Sequence, residues 1–452
     1  MIMSADIKTV PVLMDGAAEF VRWFRAAAPY IHAFRGRTFV VACGEEVLHD
    51  GQIRALARDL NILAALGVRL VIAYDAQGGA RLSVAARLRV SRPQPTDDRG
   101  LARVKKAVGT VRVEIEALLS MGPTRAAGGM VQVASGNFLG AKPMGVRGGV
   151  DFLHRGEVRR IDAAAIKKRL DHGDMVLLPP LGYAPNGEVF QLALEDVATQ
   201  AAIALRADKL VFLIDSPGVN GSRGVLLREL NAPEAERVLE GRRKPAADVA
   251  RYLPSAIQAC RNGVSRAHLV SRHVDGALLL ELFTHDGIGT MVTEEALERF
   301  RKADVRDVDV VLGLIEPLER EGVLVRRSRA LLESEIERFF VLEHDASVVG
   351  CAALYPFSGA RAAELACLVV HPDYRDAGRG AALLDFVIRA ARRKGLRQLF
   401  VLTTRTAHWF LERGFVEARI QDLPGDRRSA YNYQRRSKIF VRRLNGERLQ
   451  RA

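Results

Sequence analysis

Cysteine is scarce and scattered: Cys43, Cys260, Cys351 and Cys367 are the only four in 452 residues. They stand far apart, three of them in apolar surroundings, which excludes a disulfide framework and the paired spacing of a metal site, so no metal is expected. Long apolar runs are missing too. None nears the roughly 20 residues of a membrane span, and the opening MIMSADIKTVPVLMDG has no continuous apolar core of a secretory signal. A cytoplasmic location and no membrane partner are the expectation. Also absent is any helix-turn-helix, zinc or aromatic-platform signature to accompany the net charge of +14, which is spread along the chain. Nucleic acid is therefore not an expected partner, and the basic surplus fits small anionic substrates.

What is present is length for more than one core and an alternation of strands with helices. Phe20, Phe24, Ala27 and Ile31 fall at three- and four-residue steps, a helical stripe suited to a core or an oligomer contact. Thr38 to Ala42 reads as a strand, Ile53 to Leu66 as a helix closed by Gly67, and Arg69 to Ile72 as the next strand. The pattern returns at Met175 to Leu178, Leu194 to Arg206, Leu210 to Ile214 and Ala267 to Val270. Such alternation predicts a largely parallel α/β sheet covered on both faces. A polar, helical-looking stretch over 293–302 reads as a linker, and a second, smaller α/β domain follows from 303 to 452.

In that second domain an apolar strand, Glu364 to Val370, leads through Arg375-Asp376-Ala377-Gly378-Arg379-Gly380 into an amphipathic helix with Leu384, Val387, Ile388 and Ala391 at helical spacing. Gly378 and Gly380 allow close backbone approach, and first-turn N–H groups with the helix dipole favour an anion. Arg375 and Arg379 add charge to the same spot.

The Arg-x-x-Gly-x-Gly turn, with Trp409-Phe410-Leu411-Glu412-Arg413-Gly414-Phe415 downstream, resembles the GCN5-related N-acetyltransferases. The resemblance implies acetyl-CoA as a co-substrate, with no permanently bound cofactor. It implies that acetyl-CoA lies along Cys367, Leu368 and Val370 and on Arg375, Gly378, Arg379 and Gly380. Glu364 matches the general base, acting through water, and Thr403 the hydroxyl that protonates the leaving thiolate, in direct transfer within a ternary complex. Cys367 has no adjacent base and is not expected to be a nucleophile.

The region 36–292 resembles the amino-acid kinase fold, acetylglutamate kinase in particular, through SGNFLGAKPMGV, LIDSPGV and GVSRAHLVSRHVDGALLLELFTHDGIGTMV. It departs where phosphates would sit. Ala42-Cys43-Gly44-Glu45-Glu46 replaces a Lys with paired glycines, and Ala73-Tyr74-Asp75-Ala76-Gln77 replaces a glycine-rich turn, so no kinase activity is expected. The pairing of the two domains resembles the bacterial amino-acid N-acetyltransferase (N-acetylglutamate synthase) family. This implies L-glutamate as acceptor, held by Arg327, Arg435 and Ser437, and L-arginine as a feedback inhibitor at Tyr30, His268, Glu281, Gly287 and Gly289. Ala26 stands where the family places a histidine. The helix within 1–35 then has an oligomeric or regulatory role, and a homo-oligomer, a hexamer, is implied. A GCN5-type enzyme for another amine and a non-catalytic arginine sensor remain open readings.

Overall fold

A computed structural model describes residues 16–49, 52–76, 94–121, 131–221, 224–284, 286–345, 347–375 and 378–444. Asp376 and Ala377 of the predicted anion turn, and Gln77, lie outside the described residues. The chain divides into two units, Met1–Glu295 and Ala296–Ala452.

The first unit opens with α1 (Ala17–Phe34), then β1 (Thr38–Cys43), α2 (Ile53–Ala65) and β2 (Arg69–Tyr74). There follow β3 (Val133–Ser135), β4 (Met175–Leu178), α3 (Leu194–Leu205), β5 (Lys209–Ile214), β6 (Glu229–Asn231), α4 (Ala247–Arg261), β7 (Arg266–Ser271), α5 (Ala277–Phe283) and β8 (Thr290–Thr293). They form one sheet in the order β6-β8-β7-β5-β1-β2-β4-β3, parallel except between β7 and β8. Successive residues of a strand face opposite sides, so β1 alone feeds two cores. Val40 and Ala42 pack with α3 and α4, whereas Phe39, Val41 and Cys43 pack with α2 and α5. Burial on both faces is why these strands read as continuous apolar runs. On α1, Ala27 and Phe34 are buried, but Phe20 and Phe24 of the predicted stripe are 62% and 51% exposed.

The second unit holds β9 (Glu298–Lys302), α6 (Val308–Arg320), β10 (Phe339–His344), β11 (Ser347–Phe357), β12 (Ala362–Val370), α7 (Arg379–Arg393), β13 (Gln398–Thr403), β14 (Val416–Ala418), α8 (Gly425–Ser429) and β15 (Lys438–Arg443). Their order is β9-β10-β11-β12-β13-β15-β14. The reading of 293–302 as a helical linker is corrected: Glu298–Lys302 is an edge strand antiparallel to β10, and the division falls after Glu295. Its sequence ERFRK looks polar because an edge strand with one solvated face tolerates charge. α7 buries Leu383, Leu384, Val387, Ile388 and Ala391 on one face and ends before Gly395, whose φ of 71° stops it.

Candidate active site

The site of the second unit is a wedge between β12 and β13. The two strands are parallel partners over Ala362–Glu364 and Gln398–Phe400 only, although β12 runs on to Val370 and β13 to Thr403. Beyond Glu364 they part. Within β12 the pairing with β11 shifts from Ala353↔Ala366 to Cys351↔Val369, so one extra residue is inserted on β12. That bulge carries Cys367 at φ 50°, a left-handed conformation that a non-glycine residue adopts at a cost. Nothing in the sequence marks the position, since a bulge of this kind usually advertises itself by glycine. Its effect is to put Ala366 and Cys367 consecutively on the face of α6, while Leu365 and Leu368 face α7. Burial pushes the Cys367 thiol up to about 11, with nearby Arg327 pulling the other way, so the side chain stays protonated. The thiol packs in the core with Cys351, Ala353 and Val369.

Glu364 sits where the wedge begins and is mostly buried. Its carboxylate accepts from Arg427 Nε at 2.5 Å and from the terminal nitrogen at 3.3 Å. Arg427 belongs to α8, and sequence reasoning missed it because 63 residues separate the pair. Tyr355 lies across from Glu364 on β11 and so shares its face; its hydroxyl donates to Glu335 at 2.8 Å. Arg327 lies against Tyr355 and Cys367 on that same face. Arg435 donates to the carbonyls of Gly322 and Val323, which ties the segment before β15 to the end of α6, and Ser437 is buried with its carbonyl accepting from Tyr431 at 2.8 Å. On the far side of the wedge, Thr403 Oγ1 lies 2.8 Å from Thr406 Oγ1 and accepts from the backbone N–H groups of Arg405 and Thr406 at 3.3 and 3.1 Å. A hydroxyl that accepts twice is polarised toward donating its own proton.

The anion turn stands at the end of β12. Gly378 has φ 73°, and a Cβ there would meet nothing within 4 Å; at Gly380 it would meet Trp409 at 3.5 Å. Arg375 is exposed and its Nε donates to the Val370 carbonyl at 3.1 Å, holding the turn against the strand end. Arg379 corrects the expectation of a phosphate-facing charge. Its side chain is 8% exposed, donates from Nε to Glu298 at 2.6 Å and covers the Tyr374 ring at 5.5 Å. Only its main chain belongs to the turn.

The regulatory residues predicted in the first unit are brought together on the face of its sheet that α2 and α5 cover, with His268 third of the six residues of β7 and Gly289 beside Val270. His268 Nδ1 is 2.7 Å from Glu281 Oε1, and His268 Nε2 is 3.4 Å from Lys209 Nζ, which lies 5.1 Å from the Phe34 ring centre. Glu281 Oε2 accepts from the N–H groups of Ile288 and Gly289 at 2.7 and 2.8 Å. Burial and the Lys209 charge push His268 down to about 4, so the imidazole is neutral, its Nδ1–H donating to the carboxylate. The Glu281 carboxylate thus spends both oxygens inside the protein. Gly287 and Gly289 are required by packing: a Cβ on Gly287 would lie 2.6 Å from Glu281 and one on Gly289 2.3 Å from the Leu269 carbonyl. Tyr30, half-buried on α1, joins this group through Phe34, 6.0 Å between ring centres. At the carboxyl edge, Cys43 is fully buried and its thiol is raised to about 12, so it supplies no charge where a kinase would need a cation. Among the described residues no cluster of His, Cys, Asp and Glu is arranged to hold a metal ion, and no helix is long and apolar enough to cross a membrane.

A parallel sheet joined to a splayed sheet with a glycine turn at its mouth defines a two-part protein: an amino-acid-kinase-type unit and an acyl-CoA-dependent acetyltransferase. The sequence profile of the amino acid kinase family matches residues 37–271, and that of the acetyltransferase (GNAT) domain residues 335–417. The chain is 46% identical to an amino-acid acetyltransferase of Ralstonia nicotianae, over 98% of this chain and 99% of that one. It is 48% identical to that of Azotobacter vinelandii, over 94% and 100%. The crystal structure of N-acetylglutamate synthase from Neisseria gonorrhoeae with coenzyme A and L-arginine matches with a TM-score of 0.82 and 39% identity, covering 94% of this chain and 100% of that one. The same enzyme with coenzyme A and N-acetyl-glutamate matches with a TM-score of 0.59 at 40% identity and the same coverage. The chain belongs to the amino-acid acetyltransferase family and is an amino-acid N-acetyltransferase.

Proposed function

We propose that the chain transfers acetyl from acetyl-CoA to the α-amine of L-glutamate, by direct attack in a ternary complex. The observation that carries this is the wedge: an open strand edge for the pantetheine, a carboxylate at one side, a polarised hydroxyl at the other and an amide-lined turn for the pyrophosphate. Glutamate's ammonium sits beside its own carboxylate, which makes it more basic than a peptide's α-amino group, so a base must take its proton before the nitrogen can attack. Glu364, through a water, is the base, and Thr403 protonates the departing thiolate. Arg427 engages both carboxylate oxygens of Glu364 before substrate arrives; a glutamate carboxylate offers Arg427 a second partner, which loosens its hold on the base. Arg327, Arg435 and Ser437 frame the same face and complete a dicarboxylate site. The Neisseria relative was crystallised with N-acetyl-glutamate, in keeping with that acceptor.

The kinase-like unit is a regulatory module without kinase activity, and L-arginine binds it beside α1, near Tyr30, His268, Glu281 and the turn from Gly287 to Gly289, as feedback on a cytoplasmic first step of arginine synthesis. The Neisseria relative's complex with L-arginine supports this. The exposed Phe20 and Phe24 suit α1 to a contact between copies, in keeping with a homo-oligomer, a hexamer by family resemblance. CoA release with L-glutamate, measured while arginine is titrated in, tests substrate, chemistry and regulation together. Release should require glutamate and fall as arginine rises; turnover with other amines but not with glutamate overturns the acceptor.

A further inference from the structure

Tyr355 stands between Arg327 and the Glu364 end of the acetyl-transfer wedge. It is the cross-strand partner of Glu364, so the two side chains leave β11 and β12 on the same face. α6 covers that face, and Tyr355 packs there with Ala366 against the core formed by Cys351, Ala353 and Cys367.

Two charged side chains of opposite sign meet its phenol oxygen. The hydroxyl donates to Glu335 Oε2 at 2.8 Å, and a second hydrogen bond joins it to the Arg327 guanidinium. Arginine has no acceptor, so in that second bond the phenol oxygen accepts. Burial raises the phenol's pKa above its ordinary value against the pull of Arg327, so it keeps the proton it gives to Glu335. Donation therefore runs one way, from guanidinium to phenol to carboxylate, and each link polarises the next. Glu335 ends the short helix Arg329–Glu335 and is steadied by Arg338, which lies 3.6 Å from its Oε1 and 5.1 Å from the Tyr355 ring centre.

Arg327 is anchored by its main chain, whose N–H donates to Glu319 of α6 at 3.1 Å, and a terminal nitrogen donates to the Val325 carbonyl at 2.9 Å. A carbonyl and a phenol orient a guanidinium without cancelling its charge, whereas a carboxylate would hold it as an ion pair. Glu335 is such a carboxylate, set one hydrogen bond further back behind Tyr355. We propose that Tyr355 is a positioning residue of the acceptor site, a neutral spacer that aims Arg327 at the acceptor's carboxylate and keeps it from pairing with Glu335. The proposal rests on the reading of Arg327 as a ligand of the acceptor. Because the same ring is the cross-strand partner of Glu364, β11 also fixes how far that carboxylate lies from the proposed base.

The test is steady-state CoA release by the full chain, with L-glutamate and acetyl-CoA varied in turn. Tyr355→Phe keeps the ring and its packing, and should raise the KM for glutamate ~10-fold, the worth of one hydrogen bond to a charged group, with kcat and the acetyl-CoA KM within about twofold of the parent. Adding Glu335→Gln removes the competing charge and should recover at least ~3-fold of that loss, a rescue that a merely structural role does not predict. Arg327→Met should raise the glutamate KM by itself, and combining it with Tyr355→Phe should add less than about twofold, because the spacer then has nothing to aim. If Arg327→Met leaves the glutamate KM unaltered, the reading of Arg327 falls and the proposal with it. If Arg327→Met raises it and Tyr355→Phe does not, or if Glu335→Gln recovers nothing, the proposal alone is overturned.

Discussion

Two Gly-x-Gly turns in this protein look alike in sequence and do opposite things. Gly287-Ile288-Gly289 closes on itself: its N–H groups are taken by Glu281, and there is no room for a Cβ on either glycine. Gly378-Arg379-Gly380 opens a helix, and a Cβ on Gly378 would meet nothing within 4 Å. In the first turn a built-in carboxylate plays the part of the anion, so the glycines serve packing. In the second the anion we propose, the acetyl-CoA pyrophosphate, comes from outside, and there the glycines would serve access. A Gly-x-Gly motif therefore identifies a place where backbone N–H groups meet negative charge, and only the neighbouring residues say whose charge it is.

The largest effect that can separate the two turns is on ligand binding. Gly378→Glu places a like charge where the pyrophosphate is expected, at a cost of about 3 kcal/mol, or roughly 100-fold in acetyl-CoA affinity. Equilibrium dialysis with acetyl-CoA measures it, and arginine binding to the first unit should be unaltered. Loss of both would mean that the two turns are not independent. Gly289→Ala, with its Cβ 2.3 Å from the Leu269 carbonyl, should instead cost stability, about 2 to 3 kcal/mol by overpacking. Gly378→Ala costs only the left-handed backbone, about 1 kcal/mol. Denaturant midpoints of the two variants that came out equal would contradict the closed-versus-open distinction.

How much of this was legible in the sequence follows from how local each feature is. The open turn, its helix and the parallel strands are set by neighbours within a few residues, and Gly378, Leu384 and Val387 announced them. His268 and Glu281 could be grouped because 13 residues join a strand to the next helix. The Glu364–Arg427 pair and the burial of Arg379 against Glu298 depend on strand order across 63 and 81 residues, which composition and periodicity do not encode. The bulge at Cys367 was invisible for another reason: the residue adopts a conformation its type disfavours, and surrounding packing alone imposes it.

The closed turn should also titrate. His268 holds a proton less readily folded, at about 4, than at its ordinary 6.5, so the unfolded chain takes up more protons between those values. Stability of the first unit is then full above pH 6.5 and falls as pH falls through 6.5 toward 4, by up to ~1.4 kcal/mol per pH unit for one proton. Glu281, also held below its usual range despite its burial by the His268 and amide hydrogen bonds, extends the loss to lower pH. Urea midpoints measured from pH 7 to 4 should show the slope in the parent, and His268→Gln should flatten it. A parent whose midpoint does not move above pH 5 would mean that the imidazole is not the buried neutral group described.

The smallest effect tests which side chain at the open turn meets the ligand. Arg375 is exposed beside the turn, so Arg375→Ala should raise the KM for acetyl-CoA about fivefold, the worth of one solvated charge, with kcat unmoved. Arg379 is next to Gly378 in sequence, yet its guanidinium is committed to Glu298. Replacing both members of a buried pair by apolar residues is often neutral for folding, so Arg379→Met with Glu298→Met isolates the charge without stranding its partner. That double variant should keep the acetyl-CoA KM within about twofold of the parent, because no charge facing the ligand has been removed. If its KM rose as far as that of Arg375→Ala, the buried arginine would be acting on the pyrophosphate after all, and the open turn would owe part of its positive potential to a side chain as well as to its backbone.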